Sequence, residues 1–327
     1  MAILAKEKVL TLDYWKSANQ LRVGDYVFDR EGKPVRIKLI QEYFPAKCNT
    51  VIFNDNLAVS GDGKLGFPVE TPKYRKRTHE YKGKKKFRRP LKPMRVETLE
   101  SHPLIGKYDR LEFSVPTSKP LEFPHQDLPV PPLLFGFWYF NKGKHRTMVE
   151  PKGLSEIIRA KFKDHGYKII DFKKNTRGDR PFQVEPAIHS QILAPNIPTN
   201  YLLSSAEQRL EFLSGVIHAK SRQYSVSKDT FRITDYNRSN ISQLQQLVES
   251  LGMRSKVYYD NHYKYYTLYF RSRLKLIGNQ VSPPVKVHQA RRFIKSIEKI
   301  APQLCIHIET ENKDNTILVG EGFISCL

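Results

Sequence analysis

The residues with the clearest chemical signature lie between Lys73 and Arg95. Lys73, Arg75, Lys76, Arg77, Lys82, Lys84, Lys85, Lys86, Arg88, Arg89, Lys92 and Arg95 stand there against one acid, Glu80, with Tyr74, Tyr81 and Phe87 interleaved. Ammonium and guanidinium groups neutralise phosphates with strongly salt-dependent affinity, and aromatic rings stack on exposed bases. An acidic protein surface would attract the same charges, and mutual repulsion would also extend them into a solvated loop with no ligand. The whole chain of 327 residues carries a net charge of +22. Polyanions are therefore the expected partners: nucleic acid, DNA before RNA, or an acidic protein surface in a larger assembly. Cys48, Cys305 and Cys326 show no CxxC or Cys/His spacing, so no metal site and no cofactor is expected.

A second set of residues is defined by position. In Arg209–Ser221, RLEFLSGVIHAKS, the apolar residues Leu210, Phe212, Leu213, Val216 and Ile217 form one face at helical spacing. Gly215 leaves that face locally bare, so a second backbone can approach. A weaker copy, LLFGFWYFNKG at Leu133–Gly143, is centred on Gly136. The residues that follow match too: an amphipathic helix ends at Gly166 in one copy and at Gly252 in the other, and β-rich sequence comes next. The chain thus contains an internal duplication. Five residues beyond the glycines stand Asn141 and Lys220, with His218 three beyond Gly215.

Paired glycine-centred helices of this kind resemble the two-motif homing endonucleases of the LAGLIDADG, or DOD, type. The resemblance implies that the helices meet at a pseudo-two-fold axis and that an aspartate near the foot of each holds catalytic magnesium. Asn141 and Lys220 occupy those two places here, and His218 replaces a further acid. Magnesium held between attacking and leaving oxygens needs anionic ligands. An amide is a weak substitute and an ammonium repels the ion; Ser221–Ser227 supplies no Asp or Glu. Metal binding and cleavage are therefore not expected. Strands near Tyr224–Ser227, Phe231–Thr234, Lys256–Tyr259 and Tyr265–Phe270 would, by the same resemblance, form a saddle on DNA. That makes Arg222, Lys228, Arg232, Arg238, Lys264, Arg271 and Arg273 candidates for phosphate contacts, though a solvated outer face reads the same way. The tyrosines at 258, 259, 263, 265, 266 and 269 are expected in sheet packing rather than base stacking.

The flanking segments are β-like. Val9-Leu10-Thr11, Trp15, Leu21 and Val23-Gly24-Asp25-Tyr26-Val27 resemble the opening of the Hint fold of inteins and hedgehog-type autoprocessing domains. The run from Ile306 to Ile324 resembles its closing strands. The residues of splicing chemistry do not follow: no Cys, Ser or Thr lies in Met1–Leu10, Gly63 stands where a histidine belongs after the expected turn Gly61-Asp62-Gly63, and the sequence closes on Cys326 and Leu327 in place of His-Asn. Met1 would also leave no upstream flank. The expected organisation is a mainly β, Hint-like domain from residues 1–120 and 285–327, with a basic insertion at 73–95. An inserted LAGLIDADG-like αββαββ domain spans 121–284, with motif helices near 131–140 and 207–219. A Pro-rich linker covers Pro116–Pro132, a turn Lys173–Arg180, irregular chain Pro181–Pro198, and an amphipathic helix His288–Ile300.

No apolar run reaches the length of a membrane span and no signal-peptide core is present, so a soluble, cytoplasmic protein or a component of a phage-encoded particle is expected. Three functions fit. The first is an inactive intein relative of a mobile element or bacteriophage, kept as a nucleic-acid-binding or structural protein. The second is a divergent, active Mg²⁺-dependent endonuclease. The third is an assembly protein that meets an acidic protein surface.

Overall fold

The computed structural model describes residues 1–71, 91–141, 147–149, 155–174, 181–192, 196–220, 230–272 and 290–327. The chain forms two compact units, Met1–Glu122 with His288–Leu327, and Phe123–Val287. In chain order it begins with β1 Ala2–Leu4, β2 Lys8–Leu10, β3 Trp15–Ser17, β4 Tyr26–Phe28, β5 Pro34–Tyr43, β6 Cys48–Phe53, β7 Ala58–Asp62, β8 Gly66–Val69 and β9 Lys92–Arg95. The short helix α1 Val96–Glu100 and β10 Ser114–Pro116 follow. The second unit holds α2 Pro132–Asn141, β11 Met148–Val149, α3 Ser155–Asp164, β12 Lys168–Asp171, β13 Pro181–Glu185, α4 Ile188–Gln191, α5 Thr199–Leu202, α6 Ala206–Lys220, β14 Thr230–Asp235, α7 Arg238–Ser250, β15 Ser255–Asp260 and β16 Tyr265–Arg271. The chain then returns to the first unit through β17 Arg291–Ile300, β18 Cys305–Thr310, β19 Ile317–Val319 and β20 Ile324–Cys326.

The first unit is built on an eight-stranded sheet in the order β10-β17-β6-β7-β1-β18-β5-β4. Its two late strands, β17 and β18, each lie between early ones: Ile3 pairs with Ile306 on one side and Gly61 on the other, and Ile294 pairs with Phe53. The longer strands β5 and β17 alternate more and less buried residues in their first halves, whereas β1 and β10 are buried throughout, and Ile3, Val51, Phe53, Val59, Phe67, Ile294, Ile306 and Ile308 make one core.

Two local expectations fail here, for physical reasons. Residues 291–300 are a strand, not a helix. A β-bulge between Ile294 and Ser296 shifts the register against β6, so the inward residues Ile294 and Ile297 fall three apart, a spacing that also fits a helix turn. Likewise β7 runs through Gly61 and Asp62, so the turn begins only at Gly63.

In the second unit the duplication shows, among the described residues, at the level of topology, with α4 and α5 lying between the two halves. Each half runs helix, strand, helix, strand, strand, and each sheet places its first strand beside its third and its third beside its second, β11-β13-β12 and β14-β16-β15. Pro181–Glu185, expected to be irregular, is the central strand of the first sheet; it bonds Val184 to Ile169 and Phe182 to Met148. Both amphipathic helices end in the same left-handed cap. Gly166 has φ +79° and Gly252 +76°, Tyr167 N–H donates to Phe162 O, and Met253 N–H donates to Val248 O. Helix α6 opens on a capping box in which Ser205 Oγ and Gln208 Oε1 each accept from the other's backbone N–H at 3.3 Å. Among the described residues no helix is long and apolar enough to cross a membrane.

Candidate functional site

The glycine-centred helices α2 and α6 cross with their backbones in contact. A Cβ on Gly215 would stand 2.7 Å from Phe137 N and inside contact distance of Leu133 O. One on Gly136 would stand 3.2 Å from Val216 N and collide with Phe212 O. The contact is reciprocal, and it carries α2, apolar nearly all round, and the apolar face of α6 into one core with Phe135, Phe137, Phe212, Leu213 and Val216. Asn141, His218 and Lys220 lie in the last turns of these two helices, at their feet.

Each of these three side chains is occupied in a different way. Asn141 Nδ2 donates to Val149 O at 2.7 Å, while its Oδ1 accepts from Val149 N at 3.0 Å. Its amide thus imitates a peptide group and pairs with β11 as a neighbouring strand would. Both of its polar ends are used, and only an amide can do this, since a carboxylate has no proton for Val149 O. Lys220 Nζ lies 3.9 Å from Asp235 Oδ2 at the end of β14. His218 is buried; its Nδ1 lies 2.7 Å from Ser214 O, whereas Nε2 has no hydrogen-bond partner among the described residues. Burial pushes the His218 pKa down, against the smaller upward pull of Ser214 O, so the imidazole is held neutral.

Asp235 is the residue here that sequence reading overlooked. It accepts from Asn237 N–H at 2.8 Å, and with burial as the larger cause its charge helps push the Tyr139 hydroxyl up to about 12. Tyr139 donates to Asn240 Oδ1 at 3.1 Å. The available signal was an acid directly before an Asn-capped helix, which reads as turn chemistry rather than as a site. Among the described residues no group of three or more His, Cys, Asp or Glu side chains could hold a metal ion.

The outer face of the β14-β16-β15 sheet carries the described basic candidates. Strand alternation puts Arg232, Tyr269 and Lys256 in one row, since Tyr269 pairs with both Arg232 and Lys256, and Thr230 beside Arg271 in another. Lys264 is in the turn between β15 and β16, and Arg238 opens α7. Of the basic block, Lys92 and Arg95 lie in β9, exposed. Lys73, Arg75, Lys76, Arg77, Lys82, Lys84, Lys85, Lys86, Arg88 and Arg89 lie outside the described residues, as do Arg222, Lys228 and Arg273. The tyrosines depart from simple sheet packing: Tyr258, Tyr259 and Tyr263 are exposed, although Tyr266 packs against the core.

In the first unit Gly63 lies under α1. Its carbonyl accepts from Glu97 N–H, and a Cβ there would meet the Glu97 side chain, with Cγ at 2.7 Å. A histidine at this position would have to displace that carboxylate. Cys326 is fully buried with its thiol pushed up by desolvation, and Leu327 exchanges backbone hydrogen bonds with Gly66. Nearby, in a polar pair that no local sequence pattern signals, Tyr43 Oη donates to Asp62 Oδ2 at 2.6 Å. Cys48 and Cys305 lie close by, their sulfurs 4.0 Å apart, and burial pushes the Cys305 thiol up to about 12.

No protein-family model matches the chain. The replicative DNA helicase DnaB of Mycobacterium intracellulare is 23% identical over 248 residues, which are 73% of this chain and 40% of that protein, so the chain spans less than half of that curated relative. The solved MchDnaB-1 intein is 22% identical over 21% of this chain and 53% of its own, with a TM-score of 0.20. I-DmoI, solved in complex with DNA and Mn, is 14% identical over 43% of this chain and 89% of its own, with a TM-score of 0.33. In its order of parts the chain sets a β unit drawn from both flanks around a duplicated α+β unit.

Proposed function

We propose that this chain neither splices nor cuts nucleic acid and serves as a basic nucleic-acid-binding or structural component, of a kind suited to a bacteriophage or mobile element. The observation that carries this reading is the state of the helix feet. The Asn141 amide is held at both its oxygen and its nitrogen by the backbone of Val149, and an ammonium, Lys220, occupies the corresponding place in the other half. Such a pair offers a divalent cation one neutral oxygen, already accepting from Val149 N–H, and one repulsive charge. Glu97 over Gly63 supports loss of the histidine-assisted acyl shift in the same way. The net charge of +22 and the outer-face residues Arg232, Lys256 and Arg271 support binding to a polyanion.

The test is a Mg²⁺-dependent nicking assay on plasmid DNA with the full chain and with Asn141→Ala and Lys220→Ala. The expected result is no cutting by any of them; cutting by the parent that either substitution abolishes rejects the reading. Binding to duplex DNA across a salt series is the companion measurement. A steep fall of affinity with salt is expected, and a weak, flat response would point instead to an acidic protein partner in a cytoplasmic or virion assembly.

A further inference from the structure

The outer face of the β14-β16-β15 sheet has a feature that phosphate binding does not require. A strip of aromatic rings crosses it. Tyr258 meets Tyr269 edge-on with centroids 5.5 Å apart, and Arg232 lies over the Tyr269 ring at 5.9 Å while donating to Tyr265 Oη at 3.2 Å. Tyr265 then stacks on Tyr263 at 5.9 Å with only 13° between planes, and meets Tyr236 edge-on at 6.3 Å. The strip is therefore continuous from β15, through β16 and β14, to the β15–β16 turn.

Its rings are not buried by these contacts. Tyr258 remains 54% exposed, Tyr263 62% and Tyr236 76%, well beyond what cross-strand packing alone demands. Cations flank the strip: Lys256 and Arg271 on the strands and Lys264 in the turn. The acid beside them, Asp260, is committed to the turn, where its Oδ1 accepts from His262 and Tyr263 N–H at 2.9 Å.

From this geometry we infer that the face is a stacking platform for unpaired bases, and that the chain prefers single-stranded nucleic acid to duplex. The inference rests on the nucleic-acid reading proposed above and adds the form of the ligand. In a duplex each base is already covered above and below, so exposed rings have nothing to stack on except the ends. In a single strand every base offers a free π-face, and phosphates between bases fit cations set between rings.

The test uses the full chain with a fluorescent oligothymidylate of about 20 nucleotides, longer than the usual footprint of one such platform, and a mixed-sequence duplex of the same length. Tyr258→Ala and Tyr263→Ala remove rings that stand largely in solvent, and Tyr258→Phe and Tyr263→Phe keep the π-face. Each alanine variant should weaken single-strand binding about ten-fold with duplex affinity and salt slope unchanged, and each phenylalanine variant should bind as the parent does. Equal affinity of the parent for both probes, or alanine variants that bind the single strand as tightly as the parent, overturns the inference while leaving nucleic-acid binding intact. If neither probe binds at low salt, the nucleic-acid reading fails and this inference falls with it.

Discussion

The two halves of the inserted unit share a backbone and differ in almost every group displayed on it. Both run helix, strand, helix, strand, strand, both order their sheets alike, and both close the amphipathic helix with a left-handed glycine. At the helix feet one half presents an amide locked to β11, the other a buried imidazole and an ammonium facing Asp235. On the sheets, the outer face of the first carries Ile170 and Gln183 with Lys168 opposite Glu185, whereas that of the second is cationic and aromatic. The features held in common are set by the backbone itself: a close approach where one added methyl group collides, or a left-handed φ that a side chain disfavours. The features that differ are those in which a side chain reaches beyond the fold, where many groups fit.

That contrast can be broken most forcefully at its shared part. Gly215→Ala and Gly136→Ala each drive a Cβ into a facing carbonyl. Both should destabilise the second unit by about 1–3 kcal/mol, the range for overpacked cores, and by similar amounts, as read in chemical denaturation. A tolerated alanine at either site would mean the helices are not clamped there.

The feet come next. Asn141→Asp removes the donor to Val149 O and sets a carboxylate against that carbonyl, so it should cost about 1–3 kcal/mol. Combined with Lys220→Asp, which adds a second anion beside Asp235, the loss should be larger. Added Mg²⁺ restoring the melting temperature of the double variant would show that the foot can still cage a metal.

His218 gives a smaller, pH-dependent effect. Its folded pKa lies below the usual value of about 6.5, so below that pH the unfolded chain takes up a proton that the native state resists. Stability should fall as pH drops through this window, by no more than about 1.4 kcal/mol per pH unit for one proton, and recover as pH rises. His218→Gln should flatten this part of the profile relative to the parent. Coincident profiles would mean the imidazole titrates normally.

The smallest effect belongs to Lys220→Ala. Its partner oxygen is 3.9 Å away and the ammonium is one-third exposed, so the change in stability should stay below about 0.5 kcal/mol, measured by thermal melts.

The duplication, the glycine contacts and the caps were legible in the sequence because each depends on local spacing or on a missing Cβ. The β nature of 291–300 was not, because a bulge imposed on the strand by β6 reproduces a helical repeat. Asn141 was legible as a non-acid but not as a latch, since its partner Val149 is fixed only once β11 comes alongside. Asp235 and the Tyr43–Asp62 pair needed the fold to bring distant residues together. The strip of exposed tyrosines was visible as composition, and only strand register assigns its members to one face.

The placing of late strands between early ones in the eight-stranded sheet sets an order of assembly. On the ribosome β1, β6 and β10 emerge long before their neighbours β18 and β17, and must wait with open edges while more than half of the chain is made. The cost of that late closure grows with the length of chain between the partners, and until it is made those edges stand open to pairing with strangers.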